Sequence, residues 1–180
     1  METVSIRDEL MLRAQTYGAL CSLVLQAPDG ESLRALQQAY GAAEGSLASF
    51  VRGLPSDEGA LESVRIDLEA EFRALFQDAS ASSVQPCESA YAEDAGVSAD
   101  SVRRAVSRAY AQAGFQVDEG EDLPADHIGV ELAFMARLVE SRIAAIDEGE
   151  DERAAELARV QRTFLDEHLV PCAIAFCAEL

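Results

Sequence analysis

An aspartate and a histidine stand together at Asp126 and His127, and a glutamate follows one helical turn on, at Glu131. His127 and Glu131, four positions apart, share one helical face and have the spacing of a pair of ligands for a divalent metal. Two carboxylates on the rim of an apolar helix suit a different guest, one both cationic and apolar, because carboxylates grip a guanidinium through paired hydrogen bonds. The metal reading lacks a third ligand nearby, since the chain holds only two histidines, His127 and His168. Nucleophilic catalysis lacks its scaffold. Ser89 and Ser141 are available, but no Gly-x-Ser-x-Gly turn presents either one. No Gly-rich phosphate loop exists, which argues against nucleotide hydrolysis. Binding is the reading that survives, with no catalytic residue, no metal and no cofactor expected.

Helices must position these groups. Apolar residues recur at i, i+3 and i+4 along most of the chain. Ile6, Leu10, Ala14, Tyr17, Cys21 and Val24-Leu25 mark a first long helix, ended by Pro28-Asp29-Gly30. Asp29 is the expected N-cap of a shorter helix with Leu33, Leu36 and Tyr40. A short helix through Leu47, Phe50, Val51 and Leu54 stops at Pro55, and a long one runs from Leu61 to Phe76. The pattern then lapses over 77–97, a Ser- and Ala-rich stretch containing Pro86, of a length that is usually functional or disordered inside a compact domain. Helix resumes near Ser98 with Val102, Val106, Ala109 and Ala113 inward, and Gly114 is suited to end it. After an acidic connector over 115–123, a helix from Asp126 buries Ile128, Leu132, Met135, Val139, Ile143 and Ile146. Asp126 is its expected N-cap, a role worth about 1 kcal/mol that still leaves one carboxylate oxygen free. A last run begins at Glu150 or Asp151 and carries Leu157, Val160, Phe164 and His168, with Pro171 kinking it or opening a final helix. The expected fold is an all-α, single-domain helical bundle over 1–180, its halves joined by the long loop 77–97.

Composition sets the company this chain keeps. The net charge of −19 repels nucleic acid and anionic membrane and favours a basic segment of another polypeptide. The acids crowd into 116–156, where only Arg137, Arg142 and Arg153 oppose them. No apolar run nears the ~20 residues of a membrane span, and residues 1–12 lack the basic and apolar regions of an export signal. A cytoplasmic protein without stable membrane insertion is expected. Arg103-Arg104 is a twin arginine in letters only, mid-chain and with no apolar segment after it. The four cysteines form no Cys-x-x-Cys pair and are expected as reduced, mostly buried thiols.

Taken in order, four segments resemble the TorD/DmsD-type cytoplasmic chaperones of molybdenum enzymes. Glu71-Phe72-x-x-Leu75-Phe76 looks like that family's acidic-aromatic helix end, and Pro86-x-Glu88-Ser89-x-Tyr91 like its following loop motif. Asp126-His127-Ile128-x-x-Glu131-Leu132-x-Phe134-Met135 is similar to its most diagnostic segment, and Phe164-x-x-x-His168-Leu169 with Phe176 to its C-terminal helix pair. Two positions depart from the pattern. Ala125 separates Pro124 from Asp126, where the family typically has Pro directly before the Asp-His pair. Cys172 stands where a tryptophan is common, four residues after the C-terminal histidine.

The resemblance implies a non-enzymatic chaperone that binds a molybdoenzyme catalytic-subunit precursor, or its twin-arginine signal peptide, until cofactor insertion and folding are complete. It implies a peptide site built from Asp126, His127 and Glu131, closed over by Glu88, Ser89 and Tyr91, with Phe72 and Phe76 supplying apolar surface. Burying ~500 Å² of apolar surface gives about 12 kcal/mol gross against an association cost of about 4–15, so a moderate, reversible hold is expected. The alternative within reach is a helical adaptor that docks on the mature subunit without reading a signal; a metal-dependent hydrolase is the more distant one. A monomer or a domain-exchanged dimer would each be compatible with the long loop.

Overall fold

The computed structural model describes residues 5–77, 84–92, 96–116 and 123–180. The described residues are all-α, as the periodicity requires, in nine α-helices: α1 (Ile6–Leu25), α2 (Gly30–Tyr40), α3 (Ser46–Arg52), α4 (Glu58–Phe76), α5 (Glu88–Ala92), α6 (Ala99–Gln112), α7 (Ile128–Asp147), α8 (Asp151–Phe164) and α9 (Val170–Glu179). Residues 78–83 and 93–95 of the expected loop, and 117–122 of the expected connector, lie outside the described residues. The contacts group the chain into two compact units, Met1–Val24 with Val84–Leu180, and Leu25–Ser83.

In the second unit, α2, α3 and α4 gather around Leu33, Val51, Leu54 and Leu61, with Leu36, Tyr40, Val64 and Leu68 packed against them. Asp29 caps α2 as expected, accepting from Ser32 N at 2.7 Å. Asp57 does the same for α4 through Ala60 N at 2.9 Å. Pro55 ends the α3 region, and Arg34 ties that turn down by donating to the carbonyls of Pro55 and Ser56 at 2.8 and 3.1 Å.

The first unit is organised by α7, whose buried residues include Ile128, Leu132, Phe134, Met135, Leu138 and Val139. They cover more of its circumference than a single stripe, as a central helix requires. Its partner α8 returns antiparallel across Gly149, which at φ +74° takes the left-handed turn that a side chain resists. Glu150 N then reaches Ala145 O at 2.8 Å and Gly149 N reaches Ile146 O at 3.1 Å, closing the end of α7. The same device ends α6 at Gly114, φ +80°, with Phe115 N on Tyr110 O at 3.0 Å. Ser98 caps the start of α6, where helix was expected to resume.

Three expectations need correction. The loop 77–97 is not loop throughout, because Glu88–Ala92 form α5. Ile143 and Ile146 are only half-buried, while Phe134 and Leu138 take core positions beside the expected stripe. The cysteines are free, but of the four only Cys172 is buried and Cys177 is exposed.

Candidate functional site

The loop before α5 and the entry to α7 are stitched together by their backbones. Glu88 N donates to Asp126 O at 2.9 Å and Ile128 N to Pro86 O at 2.8 Å, leaving Cys87 and His127 as an isolated antiparallel bridge. Asp126 then turns its carboxylate onto the start of α5, where Oδ2 accepts from Ser89 N at 2.9 Å. Asp126 thus serves a helix start 37 positions back in sequence rather than the helix it precedes.

The cap of α7 is His127, whose Nδ1 accepts from Gly129 N at 3.1 Å. An accepting Nδ1 carries no proton, and burial pulls the imidazole below its ordinary pKa although the charge of Asp126 opposes this. The expectation that Asp126 caps α7 fails by one residue. His127 stands outside the helix, with its Nδ1 engaged, so it is not aligned with Glu131 as a ligand pair. Among the described residues no three His, Cys, Asp or Glu side chains come together to hold a metal.

The expected exposed rim is also overturned. Asp126 and Glu131 have no accessible surface and His127 retains 6%. The reason is the backbone stitching: once Pro86–Ser89 lie across residues 126–128, the acids beneath are roofed. Glu131 is the most costly of them, since neither carboxylate oxygen has a hydrogen bond of good geometry. Burial pushes its carboxyl well above the ordinary range, and the neighbouring Glu88 carboxyl pushes it further. A neutral, protonated Glu131 follows at neutral pH, which removes an otherwise prohibitive buried charge.

Glu88 has its own partner. His168 Nδ1 lies 3.0 Å from its Oε2 and 3.3 Å from its Oε1, with both side chains largely buried. His168 is a site residue that the loop and Asp-His segment alone do not reveal. Its signals were the Phe164-x-x-x-His168 spacing and the scarcity of histidine, and its ring indeed packs on Phe164 with centroids 5.0 Å apart. The turn carrying it is wide, a π-helical stretch at Leu165–Leu169 in which Val170 N bonds back to Leu165 O. Pro171 follows at the first turn of α9. Lacking an N–H, proline disrupts regular helical bonding at this point, and a widened turn is a common accommodation at functional positions.

Beneath the carboxylates, Tyr110, Phe134 and Phe164 form an aromatic floor with centroid separations of 4.5 to 5.7 Å. Tyr110 OH donates to Ala125 O at 2.8 Å, so the extra residue between Pro124 and Asp126 is anchored. Cys172, at the position where tryptophan would stand, is fully enclosed, and burial holds its thiol far above the thiolate range. On the outer side Tyr91 OH donates to Gln85 O at 2.8 Å and approaches Glu179 at 3.4 Å. Arg103, about half exposed, brings its Nε to 3.4 Å from Asp126 Oδ1.

Asp126, His127, Glu131, Glu88, Ser89 and Tyr91 therefore belong to the same unit, with Asp126, Ser89, Glu88 and Glu131 in one carboxylate node. Phe72 and Phe76 belong to the second unit, where their rings meet edge to face at 4.9 Å.

The described residues are thus all-helical, with a loop and an Asp-His segment knitted over a buried carboxylate node. The family model described as nitrate reductase delta subunit matches residues 33–178, and the chain belongs to that family, which includes the TorD-type chaperones. Chaperone protein TorD of Photobacterium profundum is 30% identical to it over 115 residues, 64% of this chain and 52% of that protein. The match thus spans about half the length of the curated relative.

Proposed function

We propose that this chain is a maturation chaperone for a molybdenum-containing redox enzyme, holding the precursor at its basic, twin-arginine signal segment before cofactor insertion and folding are complete. The observation that carries the reading is family membership across 33–178, supported by the likeness to a TorD chaperone. The charge of −19 favours it, because a guanidinium-bearing segment is drawn to such a surface and released as salt screens the attraction.

The proposed site lies in the first unit. Glu88, Tyr91 and the Oδ1 of Asp126 meet the client, while Ser89, His127, Glu131 and the Oδ2 of Asp126 fix the loop beside them. A buried carboxylate is a precise anchor for such a loop because it tolerates little displacement. The working place is taken to be the cytoplasm, where the precursor is made.

Calorimetry with three ligands tests the proposal: the full precursor, its signal peptide alone, and the mature subunit with the signal removed. Binding of the first two, weakening as ionic strength rises, is the expected result. Equal binding of precursor and mature subunit, with none of the peptide, would make the chain an adaptor for the folded subunit instead. No binding to any of the three would end the chaperone reading for that client.

A further inference from the structure

Of the chain's own arginine pair, Arg103-Arg104, the first touches the site from its exposed side. Arg103 there reaches a fully buried carboxylate of the unit. Asp126 has no accessible surface, yet Arg103, which remains 47% exposed, places its Nε 3.4 Å from Oδ1. The contact is a poor one for a guanidinium. It has ion-pair distance without a hydrogen bond, so Oδ1 is still unpartnered in that sense, and the paired Nη geometry that carboxylates prefer is unused. Oδ2, by contrast, is committed to Ser89 N at 2.9 Å. Arg103 also has a second carboxylate on its own helix: Asp100, 76% exposed, lies 3.8 Å from Nη1.

We infer that Arg103 is a resident stand-in for the client's guanidinium: in the empty protein it covers Asp126 from the solvent side, and an incoming arginine takes its place on Oδ1 while Arg103 falls back to Asp100. This rests on the chaperone reading above and names how its site is kept. Three features argue for it. The resident contact lacks a hydrogen bond and its arginine is half exposed, so Arg103 can return to water at modest cost while the incoming guanidinium keeps the buried carboxylate paired. The oxygen it covers is buried and lacks a hydrogen bond, so a better-aligned guanidinium gains there what Arg103 does not. The displaced side chain has a waiting partner, so no charge is stranded. A lysine in the client would compete less well, having no planar fork to replace the guanidinium already present.

The test uses the full chain and a synthetic peptide bearing an Arg-Arg pair before an apolar segment, with a Lys-Lys version as control. Removing a half-exposed competitor by Arg103→Ala should tighten the Arg-Arg peptide about two- to fivefold, and the Lys-Lys peptide less. Adding Asp126→Asn, which keeps an acceptor for Ser89 N, should abolish that gain. Arg103→Gln, of similar length without charge, should repeat the effect of alanine. Unchanged or weaker binding in both Arg103 variants, while the wild type binds the peptide, would overturn the stand-in role and leave the chaperone reading in place. Binding gained only on removal of Arg103 would support the stand-in even where the wild type shows none. No binding of either peptide in any variant would overturn the stand-in together with the signal-peptide part of the chaperone reading. Persistence of the gain with Asp126→Asn would place the competition elsewhere and overturn the inference.

Discussion

His168 and Glu88 are 80 positions apart and 3.0 Å from each other. Through them the widened turn ahead of α9 is tied to the first residue of α5, while Glu88 also faces the buried Glu131. The pair therefore does two things: it links the C-terminal helices to the loop, and it gives Glu88 a hydrogen-bond partner besides its neighbour Glu131.

An asymmetry in mutation follows from that double role. His168→Ala leaves the largely buried Glu88 carboxyl without its hydrogen-bond partner and should cost about 1–3 kcal/mol of unfolding free energy. Glu88→Gln keeps a group that can hydrogen-bond the His168 ring and should cost about half as much. A double-mutant cycle followed by urea denaturation should return a coupling of about 1–3 kcal/mol. A coupling near zero would mean that the pair does not hold the loop.

Glu131 fixes the alkaline side of the stability profile. Its folded pKa is raised, so the folded state holds a proton that the unfolded state gives up. Its contribution is complete below the ordinary carboxylate range and declines as pH climbs from there toward the raised value. Glu131→Gln keeps the shape without the titration. It should match or exceed the wild type in thermal melts at pH 8, by on the order of 1–3 kcal/mol, with the advantage vanishing toward pH 4. A pH-independent difference between the two proteins would refute a protonated Glu131.

His127 governs the acid side with the opposite sign. Its folded pKa is lowered, so at pH values below the imidazole's ordinary value of 6.5 the unfolded state binds the proton more readily and stability drops. Protonation would also take Nδ1 away from Gly129 N. His127→Asn retains a cap acceptor and should flatten the fall between about pH 6.5 and 5 while changing stability at pH 8 by less than about 1 kcal/mol. Hydrogen exchange at the first turn of α7 would follow the cap directly.

Gly149 offers a purely conformational control. A Cβ there meets nothing within 4 Å, so the cost of substitution is that of φ +74° alone. Gly149→Ala should destabilise by about 1 kcal/mol and Gly149→Asn by less, without effect on peptide binding. A loss above about 3 kcal/mol would point to packing that the open surroundings do not contain.

The helices were legible in the sequence wherever a boundary is written locally. Asp29, Ser98 and Gly114 act where their types say they should, since caps and left-handed turns depend on a few neighbouring positions. What could not be read was set by partners far away in sequence. Asp126 has the composition of an N-cap for its own helix, but Ser89 N, 37 positions back, captures its carboxylate. α5 is too short for periodicity to mark, and its start is fixed by that same carboxylate. The acids looked like a rim because free carboxylates prefer water. The backbone laid across them from Pro86 to Ser89 is a tertiary fact. The family resemblance pointed to Asp126, His127, Glu131, Glu88, Ser89 and Tyr91, which share one unit, but it could not tell a roofed carboxylate from an open one.

The wide turn at Leu165–Leu169 acts as a phase insert between two otherwise regular helices. Each residue added to or taken from an α-helix turns everything beyond it by about 100°. Closing that turn to ordinary spacing would swing Cys172 and Phe176 off the inner face that Phe164 defines. The C-terminal segment therefore carries its alignment in five residues, and relatives that differ there in length by even one position would present another face of α9.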